Sequence, residues 1–394
     1  MTLRIKIYAS IFFLLGTLLF SSLFYFSYIF LKNNNEHLSI NNIINKQLEN
    51  ESLYSSSINL DYKNYIEKKY KIIKPDVLII GSSRMQYYPN YLFNTKMLIA
   101  QQPFYSFEMF YTSLVSLLEI HKPKIIIVGL DWWLFNKNYN KNNSKLYSRL
   151  LNQKISINED KNKTFFDFSL NELLKPYLWI INQKISIKFF YENIKNNNLK
   201  NIGVASNLYK SGYNIEGYYS DTHWISGRKN FDLNFEYTKN LIQKNAKDFI
   251  PFEFDDNSIK IIQNINRIVK LNNIELINIF SPIAPTIYQE LNKNEYLKHF
   301  EEITKQLENI DNIYNFTKKD YYNDCQFLDG IHAGEVLNFL NLKHISKNNT
   351  ILKELISKTI SDEIIRDNLY RVTFNNINKI GKFEKDFLQL GCKK

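Results

Sequence analysis

The chain opens with its longest uninterrupted apolar run. Residues Ile7 to Leu31, IYASIFFLLGTLLFSSLFYFSYIFL, include no charged residue. At 1.5 Å per residue, a helix of this length crosses a hydrocarbon core of about 30 Å with some tilt. The run ends in bulky residues rather than in a small-x-small cleavage site, so we predict an uncleaved transmembrane signal anchor. Arg4 and Lys6 precede the run, which favours a cytoplasmic N-terminus and places the following residues outside the cytoplasm.

After residue 70, short apolar runs alternate with segments of helical periodicity. The two clearest helical segments are Phe107–Ile120 and Ile259–Leu271. This alternation predicts βαβ units and a parallel sheet, and uninterrupted apolar runs are typical of strands buried on both faces. The predicted strands are Asp76–Ile80, Met97–Ala100, Lys124–Leu130, Glu275–Phe280 and Asn312–Phe316.

The pattern also predicts how the chain is divided. An aromatic-rich stretch without regular alternation separates the third and fourth strands, and it forms either the wall or lid of a site or a structural appendage. The predicted segments are a cytoplasmic stub (1–6), the anchor (7–31), a polar stalk with weak helix (32–70), a core domain (71–345) with the insertion (132–255), and a C-terminal extension (346–394).

Composition narrows the choice of partners and cofactors. The chain has 394 residues, 44% of them hydrophobic, and a net charge of +11 with scattered lysines and arginines. No nucleic-acid motif accompanies the charge, so we interpret it as a solvated basic surface and expect no nucleic-acid partner, although attraction to anionic lipid or glycan is an alternative. Cys325 and Cys392 are compatible with one disulfide, and their spacing does not decide whether it forms. We expect no metal and no cofactor.

A polar turn, Gly81-Ser-Ser-Arg84, follows the first predicted strand. In an open parallel sheet, ligands bind beyond the carboxyl ends of the strands, which places this turn at the working edge. A serine here can attack a carbonyl while its own N–H helps to hold the resulting oxyanion. Taken alone, a strand that ends in Gly-Ser-Ser is more often followed by an ordinary helix cap.

A second polar segment, Phe327-Leu-Asp-Gly-Ile-His-Ala-Gly334, follows the last predicted strand. A nucleophilic serine needs a base, and the base needs a group that orients it. Asp329 and His332 are three residues apart, and this spacing lets the carboxylate accept from one imidazole nitrogen while the other faces the serine. Alone, Asp329 would more often cap the next helix. Together, the two segments favour a Ser83–His332–Asp329 site.

These motifs resemble those of the SGNH (GDSL-like) hydrolase superfamily, which has a Gly-Asp-Ser pattern after the first strand and a D-x-x-H pair near the end. Gly81-Ser82-Ser83 matches the first motif with Ser82 in place of the Asp, so the nucleophile position falls on Ser83. The anchor, the GSSR turn and the DGIHAGE segment are most similar to membrane-anchored DltD-like proteins of envelope-polymer acylation. The resemblance implies an α/β, flavodoxin-like three-layer sandwich with a central parallel sheet, a large insertion and one N-terminal transmembrane helix.

The resemblance also implies a function. It points to a serine esterase or O-acyltransferase that works through an acyl-serine intermediate on a surface glycan or other envelope polymer. It implies a single-pass protein of the inner (cytoplasmic) membrane with its catalytic domain in the periplasm, and an integral-membrane acyltransferase as partner. The alternative is a non-catalytic SGNH-like scaffold of an envelope polysaccharide assembly or modification complex.

The chain departs from the family at the oxyanion donors. Gln101 and Gln102 stand where the family has a glycine, and Asp131, in Gly-Leu-Asp-Trp, stands where it has a donor Asn. An ionised Asp cannot donate a hydrogen bond. We therefore expect the Ser83 N–H to act with Gln101, Gln102 or a neighbouring amide, and Asp131 to pair with Arg84 and organise the turn. Arg84 and Asp131 are also candidates for contact with the oxyanion or the substrate.

A second Asp–His pair occurs in Asp221-Thr-His-Trp224. It resembles the D-x-H-W pair of the alginate-acetylation branch of the same superfamily, but no suitable Gly-Ser pattern follows it. We expect a surface turn here and retain His223 as a candidate substrate contact from the insertion.

Overall fold

The computed structural model describes residues 3–56, 62–101, 106–143, 161–197, 199–221, 233–244, 251–308 and 310–357. Within these ranges the chain forms two compact units. The first unit takes the described residues of 1–61 and 155–215, and the second takes those of 62–154 and 216–394.

The described residues form strands and helices that are divided between the two units. The strands are β1 (Val77–Gly81), β2 (Met97–Gln101), β3 (Ile125–Leu130), β4 (Ser211–Tyr213), β5 (Tyr219–Asp221), β6 (Glu275–Phe280) and β7 (Ile313–Asn315). The helices are α1 (Leu3–Asn33), α2 (Ile40–Asn50), α3 (Tyr62–Ile73), α4 (Phe107–Ile120), α5 (described over residues 137–143), α6 (Leu170–Ile181), α7 (Ile187–Lys195), α8 (Val204–Tyr209), α9 (Glu236–Lys244), α10 (Asp256–Leu271), α11 (Pro285–Lys293), α12 (Phe300–Gln306), α13 (Glu335–Ser346) and α14 (Thr350–Leu355).

The second unit is built on a five-stranded sheet in the order β2-β1-β3-β6-β7, and every neighbouring pair is parallel. The predicted α/β class and parallel sheet are therefore confirmed. Each strand lies on one of the apolar runs identified in the sequence, and α4 has the predicted bounds. The reason is physical, because continuous apolar runs suit strands that have no solvent-facing side.

Both faces of the sheet are buried. Val77 and Ile79 of β1 belong to a cluster that includes Val336 and Phe339 of α13 on one face. Leu78 and Ile80 alternate with them and are equally buried, so they point to the opposite face. The chain therefore becomes polar only where the strands end, and since the strands are parallel, their carboxyl ends share one edge.

The first unit contains the predicted anchor. Residues Ile7–Asn33 of α1 have a mean hydropathy of 2.0, and the helix is long and apolar enough to cross a membrane. The last two turns of α1 are not exposed like the rest of the helix. They pack in a small core, where Phe30 and Leu31 are fully buried. The other buried members of this core are Phe168, Leu173, Ile185 and Val204. The orientation of α1 in a membrane remains a prediction.

Two predicted segments have more structure than the sequence pattern indicated. The stretch 32–70, predicted as a stalk, contains α2 and most of α3, and Ile43 and Ile44 of α2 are buried. The described residues of the predicted insertion (132–255) are divided between the two units. Cys325 is buried and disulfide-bonded, while Cys392 lies outside the described residues. The predicted segment boundaries remain predictions.

Candidate active site

Ser83 stands at the exposed end of the buried strand β1. The strand ends at Gly81, and a single 3₁₀ turn, Ser83–Met85, follows. Ser82 caps this turn, because its hydroxyl accepts a hydrogen bond from the Arg84 N–H at 3.3 Å. The chain thus reverses within three residues, leaving Ser83 in solvent and turning Arg84 and Met85 inward.

Gly81 serves the turn through close packing. A Cβ at Gly81 would lie 2.4 Å from Cγ of Met85, and one at Gly129 of β3 would lie 2.3 Å from the same atom. Neither glycine has φ in the left-handed region. Two adjacent strand ends without side chains therefore make the space into which Met85 folds, and this packing holds the serine turn against the sheet edge.

The Asp329–His332 segment forms a tight turn of its own. The Leu328 N–H donates to the His332 carbonyl at 2.9 Å, which closes the turn. One carboxylate oxygen of Asp329 accepts from the backbone N–H groups of Ile331 at 2.9 Å and His332 at 2.8 Å. The capping role and the orienting role of Asp329, which the sequence analysis treated as alternatives, are therefore both present.

Three side chains from the two turns meet at hydrogen-bond distance. His332 Nδ1 lies 2.8 Å from Asp329 Oδ2 and 3.0 Å from Oδ1. On the other side of the ring, His332 Nε2 lies 2.8 Å from Ser83 Oγ. With Nδ1–H donating to the carboxylate, Nε2 is the nitrogen that accepts from the serine hydroxyl. The structure thus brings together the three residues that the sequence singled out, and their catalytic role is a proposal made below.

The electrostatics of the turn favour an ionised Asp329. Burial by itself raises the pKa of this carboxyl, but the charge of His332 and hydrogen bonds from its ring and from the Ile331 and His332 backbone outweigh that effect. The pKa of Asp329 is consequently lowered below its ordinary value. The side chains of Asp329 and His332 are 17% and 18% exposed, so they remain next to solvent at the edge of the sheet.

Arg84 lies directly under the reactive turn and is 2% exposed. Its Nη1 donates to Asp131 Oδ1 at 2.9 Å, forming a buried ion pair. Its Nη2 donates to the carbonyls of Ser281 at 2.6 Å and Pro282 at 2.7 Å, and its Nε donates to the carbonyl of Ile331 at 3.2 Å. A planar guanidinium suits this role because its donors are fixed in a fork.

These contacts tie four chain segments together. Asp131 follows β3, Ser281 and Pro282 follow β6, and Ile331 precedes the histidine in its turn. The indole rings of Trp132 and Trp133 lie within 6 Å of the guanidinium, at 5.3 and 5.7 Å. We call Arg84, Asp131 and the three acceptor carbonyls the arginine network.

The arginine network confirms one expectation and leaves another as a prediction. Arg84 pairs with Asp131 and organises the turn, as predicted. Contact of either residue with the oxyanion or the substrate was the other expectation, and it stays a prediction. Both side chains are buried, and the donors of Arg84 are engaged by protein oxygens.

The other predicted contacts are only partly described. Gln101 is the last residue of β2, and its Cα is paired with that of Gly81, so its backbone adjoins the serine turn. The side chain of Gln101, all of Gln102 and all of His223 lie outside the described residues, and Asp221 is described only as the end of β5.

Sequence reasoning missed the residues that support the histidine. The ring of Tyr87 meets that of His332 edge to face, with 6.1 Å between centroids. The Tyr87 carbonyl accepts from Asn338 of α13 at 3.0 Å. At the start of α13, the buried Glu335 accepts hydrogen bonds from the hydroxyls of Tyr91 and Tyr218. The run of tyrosines just after GSSR and the Glu of DGIHAGE were the only signals in the sequence.

Comparisons with known proteins add nothing to this geometry, because no family model, no curated protein and no solved structure matches the chain. Within the described ranges, no group of three or more His, Cys, Asp or Glu side chains is placed to hold a metal ion. Function is therefore inferred from the site itself.

Proposed function

We propose that this protein is a membrane-anchored, extracytoplasmic serine esterase or O-acyltransferase. The observation that supports this proposal most directly is the continuous chain of hydrogen-bond contacts from Ser83 through His332 to Asp329. Nucleophile, base and orienting group are the parts that acyl transfer through a serine requires.

In the proposed reaction, His332 Nε2 takes the proton of the Ser83 hydroxyl as Oγ attacks the acyl carbonyl of the donor. The tetrahedral intermediate collapses, the donor's C–O bond breaks, and the imidazolium returns its proton to the leaving alcohol. The resulting acyl-serine ester is attacked by water or by a glycan hydroxyl, whose proton passes to Nε2 and then to Ser83 Oγ. Asp329 holds the ring and stabilises its cationic form in both halves.

The oxyanion needs backbone or side-chain donors near Ser83. We propose that the Ser83 N–H, at the start of the 3₁₀ turn, supplies one of them and that Gln101 or Gln102 supplies another. Because the Asp131 carboxylate already accepts from Arg84, it takes no part in this role.

The strand order supports the finer description of the fold. Numbered within the sheet, the order of the five parallel strands is 2-1-3-4-5, which is that of flavodoxin-like proteins. We propose a flavodoxin-like three-layer core of SGNH type, nearest to the DltD-like proteins, with an N-terminal helix that spans the inner membrane. The same resemblance supports a periplasmic site and an integral-membrane acyltransferase partner.

A pocket of the second unit supports a sugar as acceptor. Its lining includes Ile283, which follows the Arg84-bound Pro282 in the chain, and its volume is about 290 Å³. Tyr288, Gln289, Asn292 and Asp320 also line it, together with Lys318 and Lys319. An aromatic ring beside amide and carboxylate groups offers a sugar both an apolar surface and hydrogen bonds. We propose that the pocket receives part of the acceptor glycan.

A second candidate function is a non-catalytic scaffold of an envelope assembly or modification complex. The observation that favours it is Asp131, which fills the position of a family donor with a group that pairs with Arg84 instead. On this alternative, the site geometry persists without turnover.

Hydrolysis of p-nitrophenyl acetate by the full-length protein in detergent separates the two candidates. For the enzyme we expect turnover that Ser83→Ala lowers by at least about a thousandfold, because the nucleophile is removed. Ser82→Ala is the matched control, since it alters the same turn but not the reacting group, and its rate should stay within a few-fold of wild type. Equal rates for wild type and Ser83→Ala would remove Ser83 from the mechanism.

A further inference from the structure

Helices α6 and α7 of the first unit flank the C-terminal part of α1, and two hydrogen bonds fix the direction of α6. The Ser27 hydroxyl donates to the Leu173 carbonyl, and the Tyr177 hydroxyl donates to the Leu23 carbonyl at 2.5 Å. Four residues forward along α6 therefore correspond to four residues backward along α1. The two helices are antiparallel, and the C-terminal end of α6 points along the apolar part of α1.

This direction places the end of α6 at the depth of the predicted span. Leu23 lies within the uncharged run from Ile7 to Leu31. At 1.5 Å per residue, Ile181 lies about 6 Å further along α6 than Tyr177. From Pro176 to Ile181 the helix reads PYLWII, so its only polar side-chain atoms here are those of Tyr177 and Trp179. The chain then returns through α7, where Phe190 meets Phe30 with 4.8 Å between ring centroids.

The outer face of this hairpin is apolar and exposed. Leu173 and Tyr177 face α1, and the flank of α6 next to them presents exposed apolar side chains at helical spacing. This patch, here called the hairpin face, consists of Leu170, Leu174, Leu178 and Ile181 of α6 with Phe166 before it and Ile187 of α7. Monomeric soluble proteins rarely expose a contiguous apolar patch of this kind, and such patches mark interaction sites.

The surroundings of α1 identify what covers the hairpin face. Every residue of α1 from Ile7 to Leu23 is exposed in the structure, and the hairpin face continues this apolar surface alongside it. Tyr177, which binds the Leu23 carbonyl, and Trp179, two residues further along α6, lie at this depth, and such aromatic residues favour the membrane–water interface. Lys184 and Lys188, near the turn between α6 and α7, are polar exceptions at the deepest part of the hairpin, and their long side chains let the charges extend toward the headgroups.

We propose that the hairpin face is embedded in the lipid leaflet at the C-terminal end of α1, as a second membrane contact beside the anchor. The contact holds the first unit against the bilayer, which a single helix followed by a free stalk would not do. The proposal rests on the membrane anchoring proposed above and is independent of the chemistry of the Ser83 site.

Quenching of a fluorescent label tests the proposal. The full-length protein carries a single added cysteine labelled with an NBD group without reduction, so that Cys325 stays in its disulfide, and is reconstituted into phosphatidylethanolamine–phosphatidylglycerol vesicles. Leu178→Cys probes the hairpin face. Leu48→Cys on α2 is the matched control, because the two leucines are 51% and 50% exposed. Position 48 is also far from the turn between α6 and α7. Its neighbour Lys46 on α2 contacts the carbonyl of Leu199, which follows the opposite end of α7.

We expect doxyl-labelled lipid to quench the label at position 178 several-fold more than the label at position 48, and aqueous iodide to do the reverse. Iodide quenching of position 178 equal to that of position 48 would show that the hairpin face meets water and would overturn the proposal. Protection of position 178 from both quenchers would also overturn it, because protein rather than lipid would then cover the patch.

A label at Phe12→Cys separates failure of this proposal from failure of the anchor, since Phe12 lies within the span and is 80% exposed. If lipid quenches position 12 but not position 178, only the hairpin contact is wrong. If it quenches neither, the anchoring itself is wrong. If labelling at position 178 disturbs folding, intrinsic tryptophan fluorescence provides a second test. Brominated lipid should quench the fluorescence of the unsubstituted protein more than that of Trp179→Phe. Equal quenching of the two proteins would reject the contact.

Discussion

Ser83 and Arg84 are neighbours in the chain and lie in opposite surroundings. Ser83 is exposed and contacts His332, whose other nitrogen contacts Asp329. Arg84 is buried one residue later and binds Asp131 and three carbonyl oxygens. The first group of contacts leaves its reacting atoms open to solvent, and the arginine network turns all of its polar atoms inward.

The difference shows how the site combines access with rigidity. A reacting hydroxyl must meet a substrate, so Ser83 is exposed and has little packing of its own to hold it in place. The arginine network supplies that support from below, because it joins the chain after β1, β3 and β6 to the turn that carries His332. Changes to Ser83, His332 and Asp329 should therefore alter the rate, and changes to the network should alter stability first.

The largest expected effect is on the rate of Asp329→Asn. The amide keeps a carbonyl oxygen for the two backbone N–H groups but cannot stabilise the imidazolium or hold the required tautomer. We expect the esterase rate to fall by about 10³–10⁴-fold, with an unfolding midpoint near that of wild type. Stopped-flow or steady-state hydrolysis and thermal unfolding measure the two quantities. An unchanged rate would show that Asp329 neither orients His332 nor stabilises its cationic form during the reaction.

The next effect is on the stability of Arg84→Met. Removing the guanidinium leaves the Asp131 carboxylate buried without its partner, so we expect a loss of about 3–5 kcal/mol in the free energy of unfolding. Denaturant unfolding followed by tryptophan fluorescence measures it. The double variant Arg84→Met/Asp131→Leu should be more stable than Arg84→Met alone, because it removes the stranded charge. If the loss of the double variant equals the sum of the losses of Arg84→Met and Asp131→Leu measured separately, the pair is not coupled.

Lys69 of α3 offers a buried cation for comparison with Arg84. It is fully buried, its ammonium lies 4.8 Å from the ring centroid of Tyr65, and burial lowers its pKa to about 7 despite the charge of Glu216. The folded pKa is below the ordinary 10.5, so the unfolded chain binds more protons between these values. The stability of the wild type should therefore rise as the pH increases from 7 toward 10.5.

Lys69→Met tests whether burial of this ammonium, unlike that of the Arg84 guanidinium, lowers the stability of the protein. It should stabilise the protein by up to about 4 kcal/mol below pH 7, and the gain should disappear as the pH approaches 10.5. Denaturant unfolding at several pH values gives the curve. The contrast with Arg84→Met fails if Lys69→Met is destabilising below pH 7, since the contacts of Lys69 would then outweigh the cost of burying its charge.

The smallest expected effect is that of Ser82→Ala on stability. The change removes the hydroxyl that caps the 3₁₀ turn, so we expect a loss of about 0.5–1 kcal/mol. Thermal unfolding measures it, with the wild type as reference. A loss as large as that of Arg84→Met would mean that the cap, rather than the arginine network, holds the turn.

Much of the core could be predicted from local patterns. The five strands coincide with apolar runs, because a strand buried on both faces leaves a continuous hydrophobic signature. Ser83, Asp329 and His332 could also be found, since each follows a strand and the last two share one short turn. The hairpin formed by α6 and α7 could not be assigned to the surroundings of α1, because its partner helix lies about 150 residues earlier in the chain.

The sequence by itself determined the α/β class, the apolar N-terminal helix and the three residues that meet at the sheet edge, because each depends on the order of residues within a short segment. Only the tertiary structure decided what lies beneath them. Arg84 binds the carbonyls of Ser281 and Pro282, nearly 200 positions away, and Tyr218 binds Glu335. Every residue offers the same backbone carbonyl whatever its side chain, so the contacts with carbonyls leave no mark in a sequence. They are set by the register of the parallel strands, which brings distant chain segments to one edge.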